Sequence, residues 1–499
     1  MNNNKTAPPP HIDSGALGIE KSGIDYVPLS QRHGKAWHLA PVWFSGTAHL
    51  LTFAVGFVGP AVGLNLVWTL IASVLGLSLG IFFSAFHSTQ GPQLGLPQMV
   101  QSRPQFGYYG AVLIFAVVVL VYVVQGVSTV LVSGPSLTAT TGLSGNMALI
   151  ITVLVGVATA VIGYKFIHRL GRWVTYAFLV VFAVLTVEVL FRVELPAGSF
   201  SLSGFSWTPF LLQFGVCAGY LIGWAPFVSD VSRYLPPSVG VRRSFWWTAG
   251  GMWLGAAWLI GLGAVLAIAY PAIASTGDIV GTVMAAGDAG FNGLGKLAAF
   301  TAVPGLLYFT GVCFYSASLT LCSIADTFGM LRRPAARIGF VGVIGAGTLA
   351  VSLLAGDNLI EQLGILLPFV LSILAPWTAI NLVDFYVVRR GRYSVREIFN
   401  PSGIYGRWSW RGLLAYVSGM VVMIPFISTT VWQGPIAEML GGADISPFIG
   451  LPVAGVLYLL LSRSLNLDEE RALIVQMDKD IDRDVDEGQA VGGQTTYAH

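Results

Sequence analysis

The sequence predicts an all-α polytopic membrane protein of about twelve transmembrane helices, and three observations carry that expectation. The 499 residues are 55% hydrophobic and only 10% charged, with a mean hydropathy of +0.73. Soluble domains carry about 25% charged residues, so a water-facing surface of the required extent cannot be built from this chain. Apolar runs of bilayer-crossing length, ~20 residues each, recur from one end to the other. They are continuous rather than alternating with period two, which excludes a β-barrel. The three cysteines, Cys217, Cys313 and Cys322, all fall inside apolar runs without Cys-x-x-Cys spacing, so neither a disulfide framework nor a structural zinc site is expected.

The chain opens on a polar segment, 1–36, with Lys5, Lys21, Arg32 and Lys35 and no short apolar core before a cleavage site. A cytoplasmic tail rather than a signal peptide is expected. Predicted spans follow at 40–63, 64–86, 108–133, 146–165, 172–192, 208–230, 245–271, 299–323, 338–356, 361–385, 411–432 and 446–463. An acidic C-terminal tail, 466–499, holds Asp478, Asp480, Asp482, Asp484, Asp486 and Glu487. Its composition fits disorder or a short helix on the cytoplasmic side.

Loop charge sets the orientation. Arg103 precedes span three, and Lys165, Arg169 and Arg172 join spans four and five. Arg233, Arg242 and Arg243 follow span six, Arg332, Arg333 and Arg337 follow span eight, and six arginines from Arg389 to Arg411 follow span ten. The opposite loops hold Glu194, Asp278, Asp288, Asp357, Glu438 and Asp444, with Arg192 and Lys296 as the basic exceptions. The excess of positive charge inside places both termini in the cytoplasm of a multi-pass cell-membrane protein. The net charge of +2 is spread over these short loops, so no nucleic-acid partner is expected; the partners are the bilayer and a small molecule.

Glycine and proline are dense in two of the spans. Gly56, Gly59, Pro60 and Gly63 mark span one, and Gly215, Gly219, Gly223 and Pro226 mark span six. Interrupted helices five spans apart are what a five-plus-five inverted repeat shows, with a binding site at mid-membrane between them. Glycine is also an ordinary packing residue of membrane helices. On the repeat reading the transmembrane domain covers 37–465, with repeats at about 37–195 and 205–390 and two extra spans in 411–463. Spans eight (Pro304, Gly305) and ten (Gly364, Pro368, Pro376) also carry kinking residues.

An ordered set of short motifs goes further. It comprises Gly-Ile-Glu-Lys-Ser-Gly-Ile (Gly18–Ile24), Gly-Pro-Gln-Leu-Gly-Leu-Pro-Gln-Met-Val-Gln-Ser-Arg-Pro-Gln-Phe-Gly (Gly91–Gly107) and Gly-Tyr-Lys-Phe-Ile-His (Gly163–His168). Gly-Trp-Ala-Pro-Phe-Val-Ser-Asp-Val-Ser-Arg-Tyr-Leu-Pro (Gly223–Pro236), Asp-Phe-Tyr-Val-Val-Arg-Arg-Gly (Asp384–Gly391) and Gly-Ile-Tyr-Gly-Arg-Trp-Ser-Trp-Arg-Gly-Leu (Gly403–Leu413) complete it. Over about residues 18–465 the chain resembles the nucleobase–cation symporter family, in its cytosine/purine permease branch. The resemblance implies twelve spans in the inverted-repeat fold and secondary transport of a nucleobase with a cation by alternating access. Uracil, allantoin, hydantoins and vitamin heterocycles remain open as substrates, and an amino acid carried by the same architecture is a further alternative.

A nucleobase is flat and uncharged, and needs an aromatic face to stack on and amide or hydroxyl groups along its edge. Gln125 in span three both donates and accepts; the family places an amide here one turn after an aromatic, where this chain has Val121, with Tyr122 as the substitute. A lone glutamine also serves as an interhelical hydrogen bond. Trp224, following Gly223, matches the family's stacking tryptophan, and its bland role is packing or an interfacial belt. Ser45, Thr47 and His49 occupy the pocket-lining stretch of span one; His49 suits reading the substrate, titrating, or plain packing. In span eight Cys313 stands where the family commonly has Asn, before Tyr315 and Ser316, and Ser318 is a nearby alternative.

Thr310 is the one hydroxyl in the stretch Gly305–Thr310 other than a tyrosine, a poor sodium cage, so proton coupling is expected over sodium and no cofactor or resident metal is implied. Asp230 with Arg233, and Asp384 with the arginines after it, are gate or ion-pair candidates, helix-end charges at the headgroups being the simpler account. The chain is not expected to be an enzyme. Gly290–Leu297 nearly spells a phosphate loop, but Leu297 replaces the required Ser or Thr, and no catalytic or metal-spaced cluster lies within the spans. A monomer and a homo-oligomer are both compatible with the sequence.

Overall fold

The computed structural model describes residues 24–162, 164–329, 334–355, 359–429, 432–479 and 481–487. Most of the motif Gly18–Ile24, together with Lys5, Lys21, Gly163, Arg332, Arg333 and Asp357, lies outside the described residues, as do the side chains of Lys165, Arg169 and Arg172.

In lipid every backbone polar group needs a partner within the chain, and long apolar runs meet that demand as helices. Each of the twelve predicted segments contains a helix. Among the described residues, nine helices are long and apolar enough to cross a membrane alone, and up to eleven if each of two bent pairs is counted as one span. Span one is the first bent pair, with helices Leu39–Thr47, Leu50–Val55 and Val58–Ala61. Span two is Leu66–Ser88, three is Ala111–Thr141, four Gly145–Ile162 and five Tyr164–Arg192. Span six comprises Trp207–Ile222 and Ala225–Ser232; span seven is Val241–Ala269, eight Leu294–Thr327, nine Pro334–Leu354 and ten Leu359–Val383. Spans eleven and twelve are Trp410–Met423 and Ser446–Ser462, the former too short to cross unaided. Some helix starts carry a side-chain cap: Asn65 accepts from the Trp68 N–H at the head of span two.

Span one is interrupted at Gly56–Phe57, among the glycines marked in the sequence, but its bend lies elsewhere. It falls at Ala48 and His49, whose backbones leave the helical region, and the chain bends there by 64°. The freed carbonyl of Thr47 is met by the Thr52 hydroxyl at 2.5 Å, so the break needs neither glycine nor proline. Gly56 instead allows close packing: a Cβ there would lie 2.2 Å from the Ile260 carbonyl of span seven. In span six the interruption does fall at Gly223–Trp224, and Trp207–Ser232 still runs as one span.

Spans five apart in the chain pack on each other: two on seven, three along eight, and the Val58–Ala61 end of one on six. A helix not foreseen from sequence, Ile279–Gly290, lies between spans seven and eight. The phosphate-loop look-alike is its exit turn, where Asp288 accepts from the Gly293 and Gly295 N–H groups.

The acidic tail is helical over Leu467–Met477 and Ile481–Asp486 and docks on the loop after span ten. Glu470 bridges Arg389 at 2.7 Å, and Asp478 caps the N–H groups of Val395 and Arg396. Asp482 accepts from the Tyr26 hydroxyl and the Leu29 N–H of the N-terminal segment. Burial pushes the Asp478 carboxyl above its ordinary value, against those hydrogen bonds.

Candidate functional site

The two interruptions are joined by a ring stack. His49, at the break of span one, lies on Phe309 of span eight with centroids 4.6 Å apart and planes at 21°. Phe309 lies on Trp224, at the break of span six, at 4.8 Å and 31°. Trp43 meets Trp224 edge-on at 5.9 Å. All four rings are at most 3% exposed. Stacked and edge-on arrangements at these distances are the favoured ones for aromatic rings.

Among the described residues, Nε1 of Trp43 has no hydrogen-bond partner, and the ring nitrogens of His49 and Trp224 have none of good geometry, with only the Gly46 backbone and the Tyr220 hydroxyl as neighbours. Buried polar atoms are ordinarily paired, and each orphan costs about 1–3 kcal/mol. Several poorly paired polar atoms thus lie together on flat rings between the two broken helices.

A narrow cavity of about 50 Å³ opens beside the stack. Trp43, Gly46, Trp224, Phe227, Phe309 and Ser316 lie on its wall, with Tyr308, Tyr315 and Asp230. It is smaller than the ~300 Å³ at the lower end of ligand pockets, so the rings fill most of their own site. A separate vestibule of about 700 Å³ lies on the far side of the interruptions, bounded by Phe57 and Pro60 of span one, Leu211 and Gly215 of span six, Pro368 of span ten, and Asp444.

The residues expected from sequence are placed as follows. Trp224, Tyr315, Ser316 and Asp230 line the cavity, and His49 belongs to the stack. The Gln125 amide donates to the Gly223 carbonyl at 2.9 Å, holding the break of span six from span three. A Cβ on Gly223 would come within 2.5 Å of that amide nitrogen, so the glycine admits the contact. Tyr122 donates its hydroxyl to the Pro226 carbonyl at 3.1 Å and meets Phe227 edge-on, a brace for span six rather than a free stacking face. Cys313 is wholly buried in span eight. Ser45 lies apart: its hydroxyl donates to the Pro41 carbonyl of its own helix, and Thr47 likewise serves backbone carbonyls.

The charged candidates divide. Asp230 accepts from the Gln98 N–H at 3.0 Å, and Arg233 lies over the Tyr234 ring and donates to the Asp25 carbonyl. Asp384 is not at a headgroup-exposed helix end. It is fully buried, ion-paired to Arg389, and accepts from Gln105, Tyr393 and Tyr458. Sequence reasoning missed Trp43 and Phe309 as site residues. Trp43 begins the stretch already singled out, whereas Phe309 gives no signal among the apolar residues of span eight.

Known proteins resemble this chain closely enough to place it. The profile of permeases for cytosine/purines, uracil, thiamine and allantoin matches residues 26–450. The Bacillus subtilis (strain 168) protein YxlA, which carries a provisional purine-cytosine permease name, is 34% identical over 450 residues, covering 90% of this chain and 96% of that one. The purine-cytosine permease fcyB of Emericella nidulans is 27% identical over 470 residues, covering 89% and 88%. The fold matches that of Mhp1, a nucleobase-cation-symport-1 family transporter solved closed around bromovinylhydantoin, with a TM-score of 0.70, 17% identity, and coverage of 92% and 99%. The chain is a multi-pass membrane transporter and not an enzyme; it belongs to the family of permeases for cytosine/purines, uracil, thiamine and allantoin.

Proposed function

We propose that this permease imports a nucleobase, cytosine or a purine, together with a proton by alternating access. The observation that carries the reading is the set of buried ring nitrogens on Trp43, His49 and Trp224 around Phe309 that lack well-formed hydrogen bonds among the described residues. A flat heterocycle with donors and acceptors on its edge satisfies those atoms while its faces replace the Phe309 contact. Relatives named as purine-cytosine permeases, and a same-fold transporter holding a hydantoin, support a planar nitrogen heterocycle as the substrate class. A zwitterionic amino acid needs its carboxylate held at a helix N-terminus and its amine by carbonyls, whereas the aromatic wall of Trp43, Trp224, Phe227 and Phe309 suits a planar ring.

The ring stack also supports a mechanism. Admission of a base requires Phe309 and Trp224 to separate, and the vestibule at the outer half of spans one and six supplies the approach. Closing the rings on the base then buries it between two interrupted helices whose halves can tilt at Ala48–His49 and Gly223–Trp224. Both termini and the arginine-rich loops lie in the cytoplasm on this reading, in the cell membrane.

The test is uptake of radiolabelled cytosine and adenine into cells expressing the chain, competed by unlabelled uracil, allantoin, hydantoin, pyridoxine and amino acids. Saturable uptake competed by planar bases and not by amino acids is the expected result. Persistence when choline replaces sodium, with loss on adding a protonophore, is the signature of proton coupling. Uptake that requires sodium would refute the coupling assignment, and competition by amino acids would refute the substrate class.

A further inference from the structure

We propose that the carboxylate of Asp230 is the proton-binding group of the transport cycle, and that it is coupled to the heterocycle through the shared cavity. This rests on the heterocycle-symporter reading above and names the group that would perform the coupling.

Among the described residues, three carboxylates lie at the C-terminal ends of spans six, eight and ten. Asp384 is held by Arg389 and by three neutral donors. Asp326 faces Arg103 at 3.6 Å. Asp230 is the one of the three that lies on the cavity wall, with Trp224, Phe227, Val231, Tyr315 and Ser316. Its Oδ1 accepts from an uncharged donor, the Gln98 N–H.

Two influences oppose each other there. The aromatic and aliphatic wall penalises the ionised form, because a charge in a low-dielectric site is poorly solvated. Arg233, three residues on along the same helix, favours it through space, and the Gln98 N–H favours it directly. Other titratable groups facing this region are Tyr122 of span three, Tyr315 and Cys313 of span eight, and His87 of span two. His87 is joined to the Gln98 side chain at 3.1 Å and stacked on Trp377. His33 of the N-terminal segment is tied through its backbone to Tyr234. A carboxylate so balanced can change its proton occupancy when its surroundings change.

The arriving base is that change. Seating an uncharged ring in the cavity removes water from Asp230 and tilts it towards the neutral, protonated form. By linkage, protonated Asp230 then favours the ring by the same factor. When the cavity opens to the other side and the ring leaves, water returns, and the proton is released into the same compartment. No covalent step is involved; one proton moves from water to a carboxylate oxygen and back.

The test uses the full chain, purified in detergent and in liposomes, with radiolabelled cytosine as probe and adenine as a second. Wild-type affinity should tighten as the pH falls from 8 to 5.5, by up to about tenfold per pH unit for one linked proton. An inward pH gradient in sodium-free buffer should drive accumulation. Asp230→Asn should hold an affinity that varies less than about twofold over that range and should accumulate nothing on a pH gradient. Asp230→Glu should restore both pH effects, which separates a lost proton site from a damaged fold. An Asp230→Asn protein that keeps the wild-type pH dependence overturns the proposal, as does wild-type cytosine affinity that ignores pH. A wild type that binds no planar heterocycle at any pH overturns the underlying reading, and the proposal with it.

Discussion

Gly223→Ala probes the junction between spans three and six with a single methyl group. A Cβ at this position falls 2.5 Å from Gln125 Nε2, 3.1 Å from the Gly219 carbonyl oxygen and 3.4 Å from that of Tyr220. The side-chain amide is the part able to move, and moving it breaks the 2.9 Å bond from Gln125 to the Gly223 carbonyl. A buried carbonyl left without its donor costs about 1–3 kcal/mol, and the amide also leaves the position from which it would read the edge of a base. If the full amount appears in substrate affinity, KM for cytosine uptake rises by roughly 5- to 150-fold. Gly250→Ala in span seven is the control, because nothing lies within 4 Å of its added Cβ. Uptake is measured in cells, with the amount of protein at the membrane determined for each variant. A KM for Gly223→Ala within about twofold of wild type, at equal expression, would refute the argument that the amide and the break act together.

Three further outcomes follow from the packing. Asp384→Asn removes a charge that pairs with buried Arg389 and turns one of two acceptor oxygens, each serving two donors, into an NH2 group; it should destabilise by about 3–5 kcal/mol, seen as a large fall in melting temperature in detergent, and an unchanged melting temperature would contradict it. Glu470→Gln keeps one acceptor for Arg389 but loses the bidentate pair, so amides of Leu467–Met477 should exchange hydrogen faster while cytosine transport persists; unaltered exchange would show that the tail docks without this pair. Gly91→Ala puts a Cβ 2.2 Å from the Ser232 hydroxyl and 2.8 Å from the Arg233 backbone nitrogen, so the variant should fail to reach the membrane, and normal expression would mean that the contact between this loop and span six yields easily.

The spans were legible because lipid imposes one rule along the whole chain, and composition alone reveals where it applies. The break of span six was legible too, since Gly223 marks it and the following tryptophan has the right chemistry. The bend of span one was not. Its glycines serve close contact with span seven, as at Gly56 against Ile260, while the bend at Ala48–His49 is held by a threonine hydroxyl and by neighbouring spans, neither of which has a local signature. Phe309 was hidden for a related reason: an aromatic in an apolar run looks the same whether it faces lipid, core or a site. The acidic tail read as solvated from its charge. Its partners, Arg389 and the amides of Val395 and Arg396, lie some eighty residues away, and only the fold brings them together.

Trp224 is where the central claim, a planar ring held at the junction of two broken helices, can be tested most directly. Base–aromatic stacking is worth about 1–3 kcal/mol, so equilibrium binding of radiolabelled cytosine to purified Trp224→Leu should be weaker than wild type by roughly 5- to 150-fold. Trp224→Phe, which keeps an aromatic face, should recover much of the loss. Equal cytosine affinity in wild type and Trp224→Leu, with both proteins folded and monodisperse, would contradict the account.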